Sequence, residues 1–174
     1  MTHSTKALVA TAACLALGSR FGVLHPPSEA APAPLPLEYV TIQGELFSLE
    51  VAADEETRTR GLMERPEISP DKGMIFVFPN EEERTFWMAH TLAELDIVFL
   101  DRKGRVTALH TMPPEEPQGE LESEWHYHQR LKRYPSNTPA QFAVEFKAGT
   151  LSLLKIEVGD LLPIDVDRLA AMAR

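Results

Sequence analysis

Between Gly73 and Asp101 the chain carries two wholly apolar runs, Met74–Phe78 and Ile97–Leu100, on either side of the segment Phe86-Trp87-Met88-Ala89-His90-Thr91. A four- or five-residue run without a polar member fits a strand buried on both faces, or one that closes a barrel. A single acid, Asp96, stands at the mouth of the second run. This stretch is expected to form the inner strands, and the rest of the chain is arranged around it.

The flanking sequence supplies short elements. Tyr39–Gln43 and Leu46–Val51 alternate in character and are split by Gly44, which reads as a β-hairpin. Asp54 suits a helix N-cap, with Glu55 and Glu56 in the first turn, where the helix dipole favours acids; that helix is expected to run to Met63 or Glu64. Gly61 inside it costs about 1 kcal/mol against alanine and points to a close approach of another backbone. Arg84–His90 and Leu95–Asp101 read as strands. Asp101-Arg102-Lys103-Gly104 is a turn signal, and Arg105–Met112 returns as a further strand. Glu120–Lys132 places acids early and bases late, as an exposed helix would. Gln141–Lys147 alternates as a strand, Thr150–Leu154 suits one helical turn, and Leu161–Ile164 follows a turn at Gly159-Asp160. Asp165 or Asp167 would cap a last short helix to Ala173. Six or seven short strands with two or three short helices give an α+β domain built on a small curled, antiparallel-rich sheet or barrel.

The N-terminus has a different character. Lys6 precedes the apolar run Ala7–Gly18, and Ser28-Glu29-Ala30 offers small residues for cleavage after Ala30. The run is too short for a membrane-spanning helix, which needs roughly 20 apolar residues. Residues 1–30 are therefore expected to be an export signal, residues 31–36 a Pro/Ala linker, and residues 37–174 a single domain, periplasmic or envelope-associated, with no transmembrane span after cleavage. A retained anchor, or lipidation at Cys14, are the alternatives. Cys14 is the one cysteine, so neither an internal disulfide nor a cysteine metal cluster is possible. With 174 residues, 44% of them hydrophobic, there is enough material for one cored domain. The formal net charge of −9 argues against non-specific binding to nucleic acid or anionic lipid, which needs a basic surface.

Several motifs, in order, resemble the DUF192 family. They are Arg60-Gly61-Leu62-Met63, Gly73–Phe78, Phe86-Trp87-Met88 with Thr91, and Leu95–Asp101 with Gly104. The tail residues Tyr134-Pro135-Ser136, Val144-Glu145, Gly149 and Gly159-Asp160 continue the pattern, so the resemblance spans about Ile42 to Ile164. It implies a small, β-rich domain, usually exported or membrane-tethered, with no established biochemical function and hence no catalytic residues to carry over. His90 departs from the pattern, because the family usually has asparagine there.

The candidate site residues are those whose polarity is entangled with apolar sequence. Arg60, Asp96 and Glu145 are each set among hydrophobic neighbours. Buried charges are usually paired, so one reading has Arg60 latching onto Asp96 or Glu145. Another has Arg60 opening into a pocket to bind an anionic ligand. A small-ligand pocket between the first helix and the sheet would be lined by Arg60, Met63, Met74, Trp87, Met88, Thr91 and Asp96. Its occupant would be an unknown small ligand, or an envelope protein would dock there. A hydrolase using Asp96 or Glu145 with Arg60 is the enzymatic alternative. A module with only an exposed apolar protein-binding face is a third reading.

Two metal readings also arise. Met63, Met74, Trp87, Met88 and His90 have the ligand types of a Cu(I) site, though methionine and tryptophan also serve as core filler. His126 and His128 form an H-x-H pair, with His110 the nearest other histidine. Such a pair could chelate a divalent ion on a strand but diverges by about 200° on a helix. Neither set has a specific metal spacing, so no metal or cofactor is assigned. No mature cysteine, G-x-S-x-G motif or glycine-rich phosphate loop supports nucleophilic or phosphoryl chemistry.

Overall fold

The structure, a computed structural model, describes residues 34–174; the expected export signal and its cleavage point lie outside the described residues. The elements run β1 (Leu37–Ile42), β2 (Glu45–Ala52), α1 (Glu55–Arg60), β3 (Lys72–Glu82), β4 (Thr85–Phe86), β5 (Leu95–Leu100), β6 (Val106–Met112), α2 (Glu124–Arg130), β7 (Tyr134–Pro135), β8 (Ala140–Lys147), α3 (Thr150–Leu154) and α4 (Val166–Ala170). Six strands form one sheet in the order β1-β2-β3-β8-β5-β6, and β4 pairs with β7 alone. The α+β expectation holds. The large sheet is open, with β1 and β6 as its edges, and does not close into a barrel.

Every pairing in the large sheet is antiparallel except β2 with β3. A parallel pair cannot be joined by a tight hairpin, and here the crossover carries α1. The central strands β3, β8 and β5 are buried on both faces, as their apolar runs require. Alternation along each strand sorts their side chains into two layers. One layer packs Ile75, Val77, Val98, Leu100, Phe142, Val144 and Phe146 against Leu151, Leu154 and Leu169 of α3 and α4. The other packs Met74, Phe76, Ile97, Phe99 and Ala143 with Leu62, Ile68, Met88 and Tyr134. Each large aliphatic or aromatic side chain so buried contributes about 1.5–3 kcal/mol. Glu38 of β1, itself buried, pairs with Arg168 of α4 and ties that helix to the sheet edge.

The local signals explain the helix ends. Asp54 closes a capping box: the Thr57 backbone N–H donates to its carboxylate at 2.8 Å, and the Thr57 hydroxyl lies 3.4 Å from the Asp54 N–H. Gly61 is not inside α1 but ends it, at φ +50°, and a Cβ there would meet the Phe76 ring first, at 3.4 Å, rather than a backbone. Of the two expected caps, Asp165 starts α4, which ends at Ala170 rather than Ala173.

Three expected elements differ. The strand read over Arg84–His90 is only Thr85–Phe86; Met88 to Thr91 form a turn, with His90 at φ +50°, because the chain must bend off β4 before β5. The Glu120–Lys132 helix is shortened to Glu124–Arg130, since Ser123 takes the N-cap and Leu131 adopts an extended backbone. Leu161–Ile164 makes one isolated bridge, from Leu161 to Arg105, and no strand.

Candidate functional site

A cavity of about 430 Å³ opens on the layer that holds Met74 and Phe76, between the end of α1 and the sheet. Arg58, Thr59, Arg60, Gly61, Leu62 and Met63 form one wall; Phe76, Phe78, Phe86 and Trp87 form an aromatic one. Thr85, Thr91 and His128 complete the polar rim with Glu55, Glu83 and Arg84, and Glu145 reaches it from β8. The aromatic wall is built edge to face: Phe86 meets Phe76, Phe78 and Phe99 with centroids 4.9, 6.4 and 5.5 Å apart.

The three arginines around the opening differ in what they are doing. Arg58 donates to the carbonyls of Val77 at 2.9 Å and Arg174 at 3.0 Å, so it fastens α1 to β3 and to the C-terminus. Arg84 donates to Asn80 and Ala140 and lies 4.2 Å above the Phe78 ring. Arg60 is exposed, its carbonyl accepts from the Met63 N–H at 3.1 Å, and its side chain makes no hydrogen bond or ion pair with any described residue. It is the guanidinium left available to a ligand.

Glu145 is the unusual group. It is 5% exposed, and its carboxyl accepts no hydrogen bond among the described residues. Burial pushes its pKa up to about 8, so it is mainly protonated at neutral pH. A neutral carboxylic acid both donates and accepts a hydrogen bond, unlike the acceptor-only carboxylate. The sequence places it there because β8 alternates: Phe142, Val144 and Phe146 turn to the α3–α4 layer, so Glu145 must turn to the cavity.

The expected Arg60 latch does not form. Arg60 stays at the surface, and neither Asp96 nor Glu145 pairs with it. Asp96 belongs to a different structure altogether. It accepts from the Thr111 hydroxyl at 2.7 Å and from the Leu151 backbone N–H at 3.0 Å, which anchors the first turn of α3 on the face opposite the cavity. Of the seven residues expected to line a pocket, Arg60, Met63, Trp87 and Thr91 do so. Met74 and Met88, each 1% exposed, are core filler, and Asp96 is a buried structural acceptor.

The copper set is likewise dispersed. Met74 and Met88 lie in one apolar cluster, whereas Met63 packs against the separate Ala89, Tyr127 and Leu131 group. The H-x-H pair lies on α2, where His126 turns to Ser123 at 3.0 Å and His128 turns to Glu124 at 3.3 Å, so the two do not share a ligand position. His110 is engaged elsewhere, with Nε2 2.8 Å from the Pro135 carbonyl. Glu83 and Thr85 at the rim carry no sequence signal of their own, and the run Met74–Phe78 marks Phe76 and Phe78 as buried without showing that they line a cavity. They reach the site through strand pairing that one-dimensional spacing does not encode.

The sequence and the fold are matched by known proteins. A family model for DUF192, described as an uncharacterized ACR, matches residues 38–164. A crystal structure from Sinorhizobium meliloti 1021, provisionally described as a transcription regulator, superposes with a TM-score of 0.61 at 26% identity, covering 78% of this chain and 99% of that one. A protein of unknown function from Novosphingobium aromaticivorans DSM 12444 superposes with a TM-score of 0.62 at 28% identity, covering 77% of this chain and 93% of that one. No curated protein shows significant similarity to the chain. The match over nearly the whole described domain, with motifs and fold in agreement, makes this chain a member of the DUF192 family.

Proposed function

We propose that the domain is a non-enzymatic binder of a small, largely apolar ligand in the cavity between α1 and the sheet. One observation carries this reading: Glu145 is buried without a hydrogen-bond partner among the described residues, at the edge of an aromatic cavity large enough for a small molecule, where burial pushes its pKa up. Its protonated carboxyl would donate to an acceptor at the inner end of the ligand. Arg60, free of internal partners, would meet a negative group at the outer end. Phe76, Phe78, Phe86 and Trp87 would enclose the body. If residues 1–30 serve as an export signal, this binding would occur in the periplasm or cell envelope, and cell fractionation with N-terminal sequencing checks cleavage after Ala30.

Native mass spectrometry of the exported protein tests the binding. The reading expects a co-purified small molecule, or hits from a fragment screen, whose retention falls in Glu145→Gln and Arg60→Ala. A wild-type cavity that binds nothing across the screen refutes it.

A second reading, an envelope hydrolase, rests on the same protonated Glu145, which could act as a general acid beside Arg60. Turnover of an ester and amide panel that disappears in Glu145→Gln would favour it over simple binding. The transcription role given for the Sinorhizobium protein fits this chain poorly, because DNA binding needs a basic face and the formal charge here is −9.

A further inference from the structure

The geometry points to a divalent transition-metal site formed by His90, Glu124 and His128 at the rim of the cavity. Glu124 and His128 are four residues apart on α2 and therefore share a helix face. His90 comes from the turn between β4 and β5. His90 Nε2 lies 3.8 Å from Glu124 Oε1, His128 Nε2 lies 3.3 Å from Glu124 Oε2, and all three ligand atoms fall within 4.8 Å of one another. Ligands 2.0–2.2 Å from a tetrahedral ion are about 3.3–3.6 Å from each other. The shortest observed spacing already falls in that range and the others are longer, so forming the shell requires the side chains to draw together.

Two further observations separate this cluster from a chance meeting of surface side chains. The three side chains have no hydrogen-bond partners elsewhere among the described residues, so their lone pairs are uncommitted. The scaffold under them is fixed. The His90 N–H donates to the Tyr127 hydroxyl at 2.9 Å, and its carbonyl accepts from the Glu64 N–H at 2.8 Å. Tyr127 is buried on α2 between the ligands' own positions, so one residue locks the turn to the helix that carries the other two ligands. The Arg133 guanidinium holds the His128 carbonyl at 2.7 Å. His90 sits at φ +50°, a conformation that suits asparagine well and histidine acceptably, so this ligand could arise without refolding the turn.

Two imidazoles and one carboxylate select zinc, cobalt or nickel over magnesium or calcium, which prefer oxygen donors. Three protein ligands leave one position of a tetrahedron open to water or to a ligand. His128 also lines the cavity, which places the ion beside the opening. The site adjoins the proposed ligand pocket and shares His128 with its rim, but none of its three donors is Glu145 or Arg60.

The test is titration of the full untagged chain, stripped with chelator, with Zn²⁺ by calorimetry and with Co²⁺ by visible absorption. One ion per chain is expected, with tetrahedral-type Co²⁺ bands. His90→Asn, Glu124→Gln and His128→Gln are each expected to weaken Zn²⁺ binding at least about tenfold. His126→Gln and Glu145→Gln are expected to leave it unchanged, which separates failure here from failure of the cavity reading. His90→Asn keeps a residue suited to the turn, and its circular dichroism verifies folding. Absence of saturable binding, or equal loss in His126→Gln, overturns the assignment.

Discussion

Asp96 and Glu145 stand one register position apart on neighbouring antiparallel strands: Asp96 pairs with Phe146, and Ile97 pairs with Glu145. That single step sends the two carboxyls to opposite faces of the sheet, because side chains alternate with a period of two. Asp96 meets the first turn of α3 and is fully engaged; Glu145 meets the cavity and is not. Two acids that look equivalent in sequence therefore have opposite roles in stability.

For Glu145 the folded chain keeps its proton to about pH 8, against an ordinary value of 4.5. Between those values the unfolded chain releases the proton while the folded chain holds it. This group's contribution is therefore most favourable below pH 4.5, declines as pH rises to about 8, and then levels off. The change is on the order of a few kcal/mol. Urea denaturation across that window is expected to show the decline in the wild type and its loss in Glu145→Gln, which should be the more stable protein at the alkaline end.

Asp96→Ala should act in the other direction. It strands the buried Leu151 N–H and removes the partner of the Thr111 hydroxyl. A loss of about 2–4 kcal/mol is expected, since a buried donor without an acceptor costs about 1–3 kcal/mol. Hydrogen exchange should show α3 opening first, because the lost bond anchors its first turn.

Gly73→Ala is expected to be the most damaging small change. A Cβ at Gly73 would lie 2.2 Å from the Glu145 backbone oxygen on the paired strand, a contact that no rotamer can relieve. Separating β3 from β8 disrupts the centre of the sheet, so a loss above about 4 kcal/mol or failure to fold is expected. Thermal unfolding of the purified variant, or its absence from the soluble fraction, gives the answer.

Arg60→Ala should leave stability within about 0.5 kcal/mol of wild type, because the side chain is exposed and has no internal partner. Arg58→Ala, which removes donors from the Val77 and Arg174 carbonyls, should cost about 1–2 kcal/mol. Parallel thermal melts of the two variants check the contrast. Equal destabilisation would show that Arg60 is structural after all.

What the sequence determined by itself was local. The uninterrupted apolar runs Met74–Phe78 and Ile97–Leu100 mark buried strands, since at four or five residues they are too short for a buried helix. Asp54 specifies a helix start, and Asp165 or Asp167 a second, because a cap is satisfied within three residues. The family motifs and the α1 side of the cavity, Arg60 and Met63, were legible for the same reason. Tertiary structure alone decided which face each acid took and which residues met across the fold. Glu145 enters the cavity because β8 lies between β3 and β5, and Asp96 leaves it because β5 pairs in that register. His90 joins Glu124 and His128 because Tyr127 pins a left-handed turn against α2. Those outcomes depend on strand order and packing between residues far apart in the chain, which local propensity and spacing do not carry.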